Sequence, residues 1–310
     1  MRIAIVGAGG VGGYFGGRLA RAGEDVAFVA RGATLDALRR RGLRVESVAG
    51  DFTVEPVKAE ADPASIGPVD AVLVAVKAWQ VEAVAPALAP LIGPGTVVVP
   101  LENGVEAPDQ LAAVLGRGSV LGGLCRISSM IVEPGHIRHA GLEPYVALGE
   151  LGGGASERAE RLRAAFEHAG VRAEVPADIR VAMWQKFLFI TAVSGLGAVT
   201  RAPVGVLRSL RETRELLVAA VEEVAAVGRA LGVAIPGGAV AATLALVDSL
   251  PEHTTASMQR DVAAGNPSEL EAQNGAVVRL GAAAGVPTPV NGFLHAALLP
   301  QELAARGPAA

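Results

Sequence analysis

The chain has 310 residues, 51% hydrophobic and 19% charged, which suits a folded protein of two domains and excludes a disordered one. A net charge of −4 and a pI near 5.8 argue against nucleic acid or an anionic membrane as the main partner. The single cysteine, Cys125, rules out an internal disulfide framework and a multi-cysteine metal site, and reads as a small, partly buried side chain.

Residues 1–6 are a short apolar, β-branched run, read as a strand. They lead into Gly7-Ala8-Gly9-Gly10-Val11-Gly12 and then a helix-like stretch over 14–22. A GxGxxG spacing is weak by itself; between a strand and a helix it points to a dinucleotide. The first glycine permits the tight turn, the second lets the backbone approach a pyrophosphate, and the third lets the helix pack close to the strand. The helix N-terminus presents N–H groups and a positive dipole end to the phosphates. A second strand over 25–30 ends at Arg31. NAD-binding units carry an acid about twenty residues past the glycines, for the ribose 2′-hydroxyl. Here Ala30 stands in that place and Arg31 follows, which favours the 2′-phosphate of NADP(H).

Further along, Thr34 is suited to cap a helix through Arg41, and residues 43–57 look like a β-hairpin around Gly50-Asp51. Residues 70–76 are nearly all apolar, as in a strand buried on both faces. That run ends in Lys77-Ala78-Trp79-Gln80 and feeds a helix over 81–91. A strand over 95–100 ends in Leu101-Glu102-Asn103-Gly104; a helix over 107–115 and strands near Val120, Ile131, Ile137 and Val146 follow. This alternation predicts an α/β fold, a Rossmann-type doubly wound domain over 1–176. Gly7, Arg31, Lys77 and Asn103 all fall at carboxyl ends of strands, where such folds bind ligands. Long Ala/Leu/Val-rich stretches over 181–193, 210–231, 239–250, 253–264 and 268–284 predict an all-α second domain over 177–310. Residues 306–310 are expected to fray.

The five histidines are scattered without metal-ligand spacing, so no metal is expected, and His136 and His139 read as surface residues. No GxSxG elbow or Cys/His pair signals hydrolysis. Lys186 stands out within the strongly apolar Met183-Trp184-Gln185-Lys186-Phe187-Leu188-Phe189-Ile190. A buried lysine with a lowered pKa suits a proton donor, whereas a lysine reaching solvent from the helix edge fits the same sequence. Glu269 and Glu271 are either site carboxylates or ordinary acids of a helix N-terminus.

Taken together, these motifs resemble the ketopantoate reductase (2-dehydropantoate 2-reductase) family nearly end to end. The likeness rests on the Gly7–Gly12 loop with Arg31, on Lys77-Ala78-Trp79-Gln80, and on Asn103-Gly104. In the second half it rests on Trp184-Gln185-Lys186, Ser257-Met258-Gln259-Arg260-Asp261, Glu269 and the closing Gly285-Val286-Pro287. The resemblance implies a Rossmann domain followed by a helical domain, with substrate in the cleft between them. It implies NADPH-dependent reduction of a 2-oxo acid, first of all 2-dehydropantoate to pantoate in pantothenate biosynthesis. Lys186 would be the general acid at the ketone oxygen, and Glu269 would position substrate, cofactor and lysine. The Gly7, Ala8, Gly9, Gly10, Val11, Gly12 loop, Arg31, Lys77, Asn103 and Ser128 would hold NADP(H). Asn103, Lys186, Ser194 and Ser257 would hold the substrate, with Ser257 binding the carboxylate of the substrate.

One departure bears on specificity. The family's ketopantoate enzymes tend to carry asparagines four and eight residues after the lysine; here these are Ile190 and Ser194. The loss of a polar contact relaxes discrimination in favour of a hydroxylated substrate, so a more apolar 2-oxo acid is an alternative. An NADP-linked dehydrogenase working toward oxidation and a non-catalytic NADP(H)-sensing protein are the other readings. A cytoplasmic location without a membrane span is expected, and the apolar helical domain is compatible with a homodimer.

Overall fold

Alternation within β1 (Arg2–Val6) sends Ile3 and Ile5 into one hydrophobic core and Ala4 and Val6 into another, as in a strand covered on both faces. The structure, a computed structural model, describes residues 1–307; residues 308–310 of the segment expected to fray lie outside it. Helix α1 (Gly10–Arg21) returns the chain to β2 (Asp25–Val29), which runs parallel to β1. Helix α2 (Gly32–Arg41) then leads to a hairpin of β3 (Leu43–Ser47) and β4 (Phe52–Val54), and β5 (Lys58–Glu60) joins the outer edge of β2. Strand β6 (Ala71–Val74) pairs with the other edge of β1, and β7 (Val97–Pro100) with β6. The result is a parallel sheet in the order β5-β2-β1-β6-β7. Its order reverses at β1, so the loop after β1 lies at the switch point, where doubly wound sheets take their ligands.

Several local expectations are corrected. Helix α2 starts at Gly32 with Arg31 as the extended N-cap residue, so Thr34 lies inside the first turn and caps nothing. The helix expected over 81–91 is α-helical only as α3 (Val81–Val84). Pro86 and Pro90 lack the amide hydrogens an α-helix needs, and Ala85–Leu91 is 3₁₀. After α4 (Ala107–Leu115) come β8 (Leu121–Arg126), β9 (Ser129–Glu133), β10 (His136–His139) and β11 (Tyr145–Glu150). Helix α5 (Glu157–His168), capped by Ser156 Oγ on the Ala159 N–H, and β12 (Arg172–Glu174) end this half; the sequence reading left both out.

Strands β4-β3-β10-β9 form a second sheet, and β12-β11-β8 a third. Helix α1 lies between the parallel sheet and the second one, which explains its glycines. A side chain at Gly16 would strike Phe28 and Ile5, and one at Gly13 or Gly17 would press on Ile137 or Leu43. His136 and His139 are buried rather than on the surface, because β10 is an inner strand of the second sheet. His139 is tied by Nδ1 to Ser47 Oγ (2.8 Å) and by Nε2 to the Leu142 carbonyl (2.7 Å).

Two compact units result: Met1–Glu102 with Ala107–Ile179, and Asn103–Glu106 with the chain from Arg180 onward. The helical unit is built on α6 (Ile179–Thr200), α7 (Val204–Ser209), α8 (Arg211–Ala230), α9 (Ala239–Ser249) and α10 (Ser257–Ala263). A π-helical turn (Glu271–Gly275), α11 (Ala276–Ala284) and α12 (Pro289–Arg306) complete it. The proline at the start of α12 and Pro300 within it hide that helix from a periodicity search. Helix α6 is long and apolar enough to cross a membrane by length and composition, yet 67% of its most apolar window is buried within the protein, as in a core helix. Trp184 belongs to that core: it meets Phe187 edge-on (5.5 Å between ring centroids) and packs over Gly228 of α8.

Candidate active site

The glycine loop has the shape its spacing implies. Gly7 takes φ +98°, a conformation L side chains rarely adopt, and a Cβ there would stand 2.8 Å from the Ala75 carbonyl oxygen just past β6. At Gly12 a Cβ would collide with the Gly7 carbonyl oxygen and press on Ile5 and Ala75, so the third glycine permits the contact between helix and strand. At Gly9 the same atom would touch only Ile131, at 4.0 Å. Helix α1 has no side-chain cap and no acidic residue in its first turn. Its first N–H groups and dipole end therefore carry no carboxylate partner there, and the open position at Gly9 fits a pyrophosphate.

Arg31 directly follows β2 and Ala30; its side chain is exposed and makes no hydrogen bond or ion pair among the described residues. Lys77 follows β6, where its backbone N–H donates to Gln80 Oε1 (3.1 Å) and fixes the turn of the Lys77–Gln80 motif. Ser128 lies between β8 and β9, its carbonyl accepting the Ala140 N–H. The sequence reading missed its neighbour: Ser129 abuts the start of α1, its carbonyl oxygen 2.9 Å and its Oγ 3.1 Å from where a Gly10 Cβ would sit. No spacing rule points to Ser129, because its place depends on how β9 lies over α1.

In the helical unit, Asn103 and Glu269 come together across 166 positions of sequence, Asn103 Nδ2 donating to Glu269 Oε2 at 3.0 Å. Glu269 as a whole is only 6% exposed. Glu271, two residues on, has a different role: it pairs with Arg279 (3.0 Å) and His295 (2.7 Å), and Arg279 also holds Glu106 (2.9 Å). That network fastens the Asn103–Glu106 segment to the helical unit and separates the two acids that spacing alone could not. The π turn carries Glu271 through Gly275; such insertions shift the side chains after them and recur at functional sites. Lys186 is half-buried on α6, in line with Ile190 and Ser194 on one face. Ser194 is fully buried, whereas Ser257 opens the seven-residue α10 and is half-buried. Neither serine is hydrogen-bonded to Asn103 or Glu269 among the described residues. No group of three or more His, Cys, Asp or Glu among the described residues is arranged to hold a metal ion.

Residues 3–153 match the family described as Ketopantoate reductase PanE/ApbA, and residues 178–302 match its C-terminal part. The chain belongs to the ketopantoate reductase family. It is 32% identical over 301 residues to the uncharacterized oxidoreductase YkpB of Bacillus subtilis, covering 96% of this chain and 98% of that one. It is 34% identical over 310 residues to the 2-dehydropantoate 2-reductase of Mesorhizobium japonicum, covering 93% and 94%. The crystal structure of 2-dehydropantoate 2-reductase from Geobacter metallireducens superposes with a TM-score of 0.90 at 34% identity, over 97% of this chain and 99% of that one. The protein is thus a dinucleotide-binding oxidoreductase acting between CH–OH and C=O, a reductase of small 2-oxo acids.

Proposed function

We propose that the protein reduces 2-dehydropantoate to pantoate with NADPH, Lys186 acting as the general acid and Glu269 positioning the reacting groups. The observation that carries this reading is the bond from Asn103 to Glu269, which joins two residues far apart in sequence that the family resemblance assigns to one site. The Gly7–Gly12 loop, Arg31, Lys77, Asn103 and Ser128 would hold the dinucleotide, whose reduced nicotinamide supplies a hydride to the ketone carbon. The negative charge then grows on the ketone oxygen. The Lys186 ammonium lowers the energy of that charge and donates the proton that completes the alcohol. Asn103 restricts the Glu269 carboxylate to one orientation, and a fixed acceptor orients a substrate better than a rotating one. Ser257 and Ser194 are assigned to the substrate.

The test is the loss of NADPH absorbance with 2-dehydropantoate beside a panel of apolar 2-oxo acids. Efficient turnover of the first supports the proposal; activity confined to the panel makes Ile190 the mark of a more apolar substrate, and silence on every acid overturns it. Ile190, half-buried beside Lys186 on α6, is what favours that second reading. Cofactor choice is tested separately. Arg31→Ala should raise the Kd for NADPH about tenfold or more, the worth of one charge-assisted contact, and leave NADH binding almost unchanged. Equal weakening of both would remove Arg31 from the 2′-phosphate.

A further inference from the structure

Helix α12 buries a carboxylate where its pattern calls for an apolar residue. The buried face of that helix runs through Asn291, Leu294, Leu298 and Glu302 at helical spacing. Leu298 shares a small core with Ala198, Met258 and Leu270, and Glu302, one turn on, is 2% exposed. A carboxylate in such a place costs more than a leucine unless its oxygens are fully used. Here each oxygen has partners. Both accept the Ser268 N–H (3.1 and 3.0 Å), Oε2 accepts the Ser268 hydroxyl (2.5 Å), and Arg306 donates to Oε1 (2.7 Å). Arg306 also donates to the Ser268 carbonyl (3.2 Å).

One ion pair on α12 thus holds the N–H, the O–H and the C=O of a single residue, and Ser268 is 0% exposed. The next residue is Glu269. Beyond it, the Leu270 N–H donates back to Ser268 Oγ (3.2 Å), and Leu270 is fully buried. Glu269 therefore stands between two fixed neighbours, and its Oε2 accepts the Asn103 amide (3.0 Å) from that backbone position. A leucine at position 302 would fill the space on α12 but leave the Ser268 N–H without its acceptor, a buried donor that proteins rarely leave unmet.

We propose that Glu302 is a positioning residue for Glu269: with Arg306 it fixes Ser268, and so sets the backbone from which the Glu269 carboxylate reaches Asn103. This rests on the reductase reading for the task of Glu269 itself. Glu302 acts through Ser268 and not on the substrate, so its contribution is geometric. A misplacement of about 1 Å at a reacting group costs on the order of a hundredfold in rate, even when its cause lies far from the chemistry.

The experiment is a double-mutant cycle on the full chain. Glu302→Leu keeps the packing and removes the acceptor. It should lower kcat, on 2-dehydropantoate or whichever 2-oxo acid is reduced best, by about tenfold to a hundredfold, with the Kd for NADPH nearly unchanged. In the Glu269→Gln background the same substitution should lower kcat no further, since the carboxylate it would misplace is gone. A weakened fold would lower kcat alike in both backgrounds, so equal losses overturn the proposal, as does an unchanged kcat in the single variant. Should Glu302→Leu fail to fold, Ser268→Ala, which removes the hydroxyl that Glu302 and the Leu270 N–H share, takes its place in the cycle. If no 2-oxo acid is turned over, the reductase reading fails, and the crystal structure of the variant tests the positioning by itself. Glu269 drawn away from Asn103 supports the proposal; the bond between them kept as in wild type overturns it.

Discussion

Replacing Lys186 by alanine should lower kcat by about two to four orders of magnitude, the usual contribution of a positioned proton donor, and leave NADPH affinity nearly unchanged. The fold around it gives reason to expect a clean result. Helix α6 is anchored by Met183, Trp184, Phe187 and Leu188, all buried, while Lys186 is half-buried at its edge. Truncating that side chain removes a charge and leaves the packing that places the helix. The split between kcat and cofactor binding carries the argument, because a lysine that only reaches solvent would change neither. Single-turnover reduction and an equilibrium titration with NADPH measure the two quantities separately. Equal losses in both would move Lys186 from proton transfer to cofactor binding. Small primary amines added to Lys186→Ala should restore part of the rate, since they return an ammonium donor to the space the side chain vacates.

What could be read from the sequence tracks how local each cause is. The glycine loop was legible because its constraints act within one turn: a positive φ at Gly7 and a contact at Gly12 are both set by neighbours in the chain. The central strands were legible because burial on both faces leaves an unbroken apolar run, as in Ala71–Val74. Strand β5, three residues of Lys-Ala-Glu, has no such run and gains its place only by pairing with β2. His136 and His139 were misread for the same reason, since their burial comes from the strands on either side of β10. In the proposed site, Asn103 and Glu269 were both named by the resemblance, but their bond follows from folding the Asn103–Glu106 segment onto the helical unit. The distinction between Glu269 and Glu271 needed Arg279 and His295, which no spacing brings near.

Gly12→Ala should destabilise the protein by about 3 kcal/mol, the upper end of the range for an over-packed site. It should also weaken dinucleotide binding by about a hundredfold, the equivalent of a similar energy. The methyl group has nowhere to go. It meets the Gly7 carbonyl oxygen, which is backbone and cannot rotate away, and it presses on Ile5 Cγ2 at 3.0 Å and Ala75 Cβ at 3.1 Å. Relief requires α1 to move off β1, and that motion widens the loop whose N–H groups would meet the phosphates. Gly9→Ala separates the two consequences. Its methyl would lie 4.0 Å from Ile131 and touch nothing else, so folding should be unaffected while the added carbon occupies the space left for the pyrophosphate. Urea unfolding and a fluorescence titration with NADPH, run on both variants, give the comparison. A stable Gly9→Ala protein with impaired binding fits a loop shaped for a ligand. Binding as tight as wild type would mean that the phosphates approach elsewhere, and the assignment of this loop would fall with it.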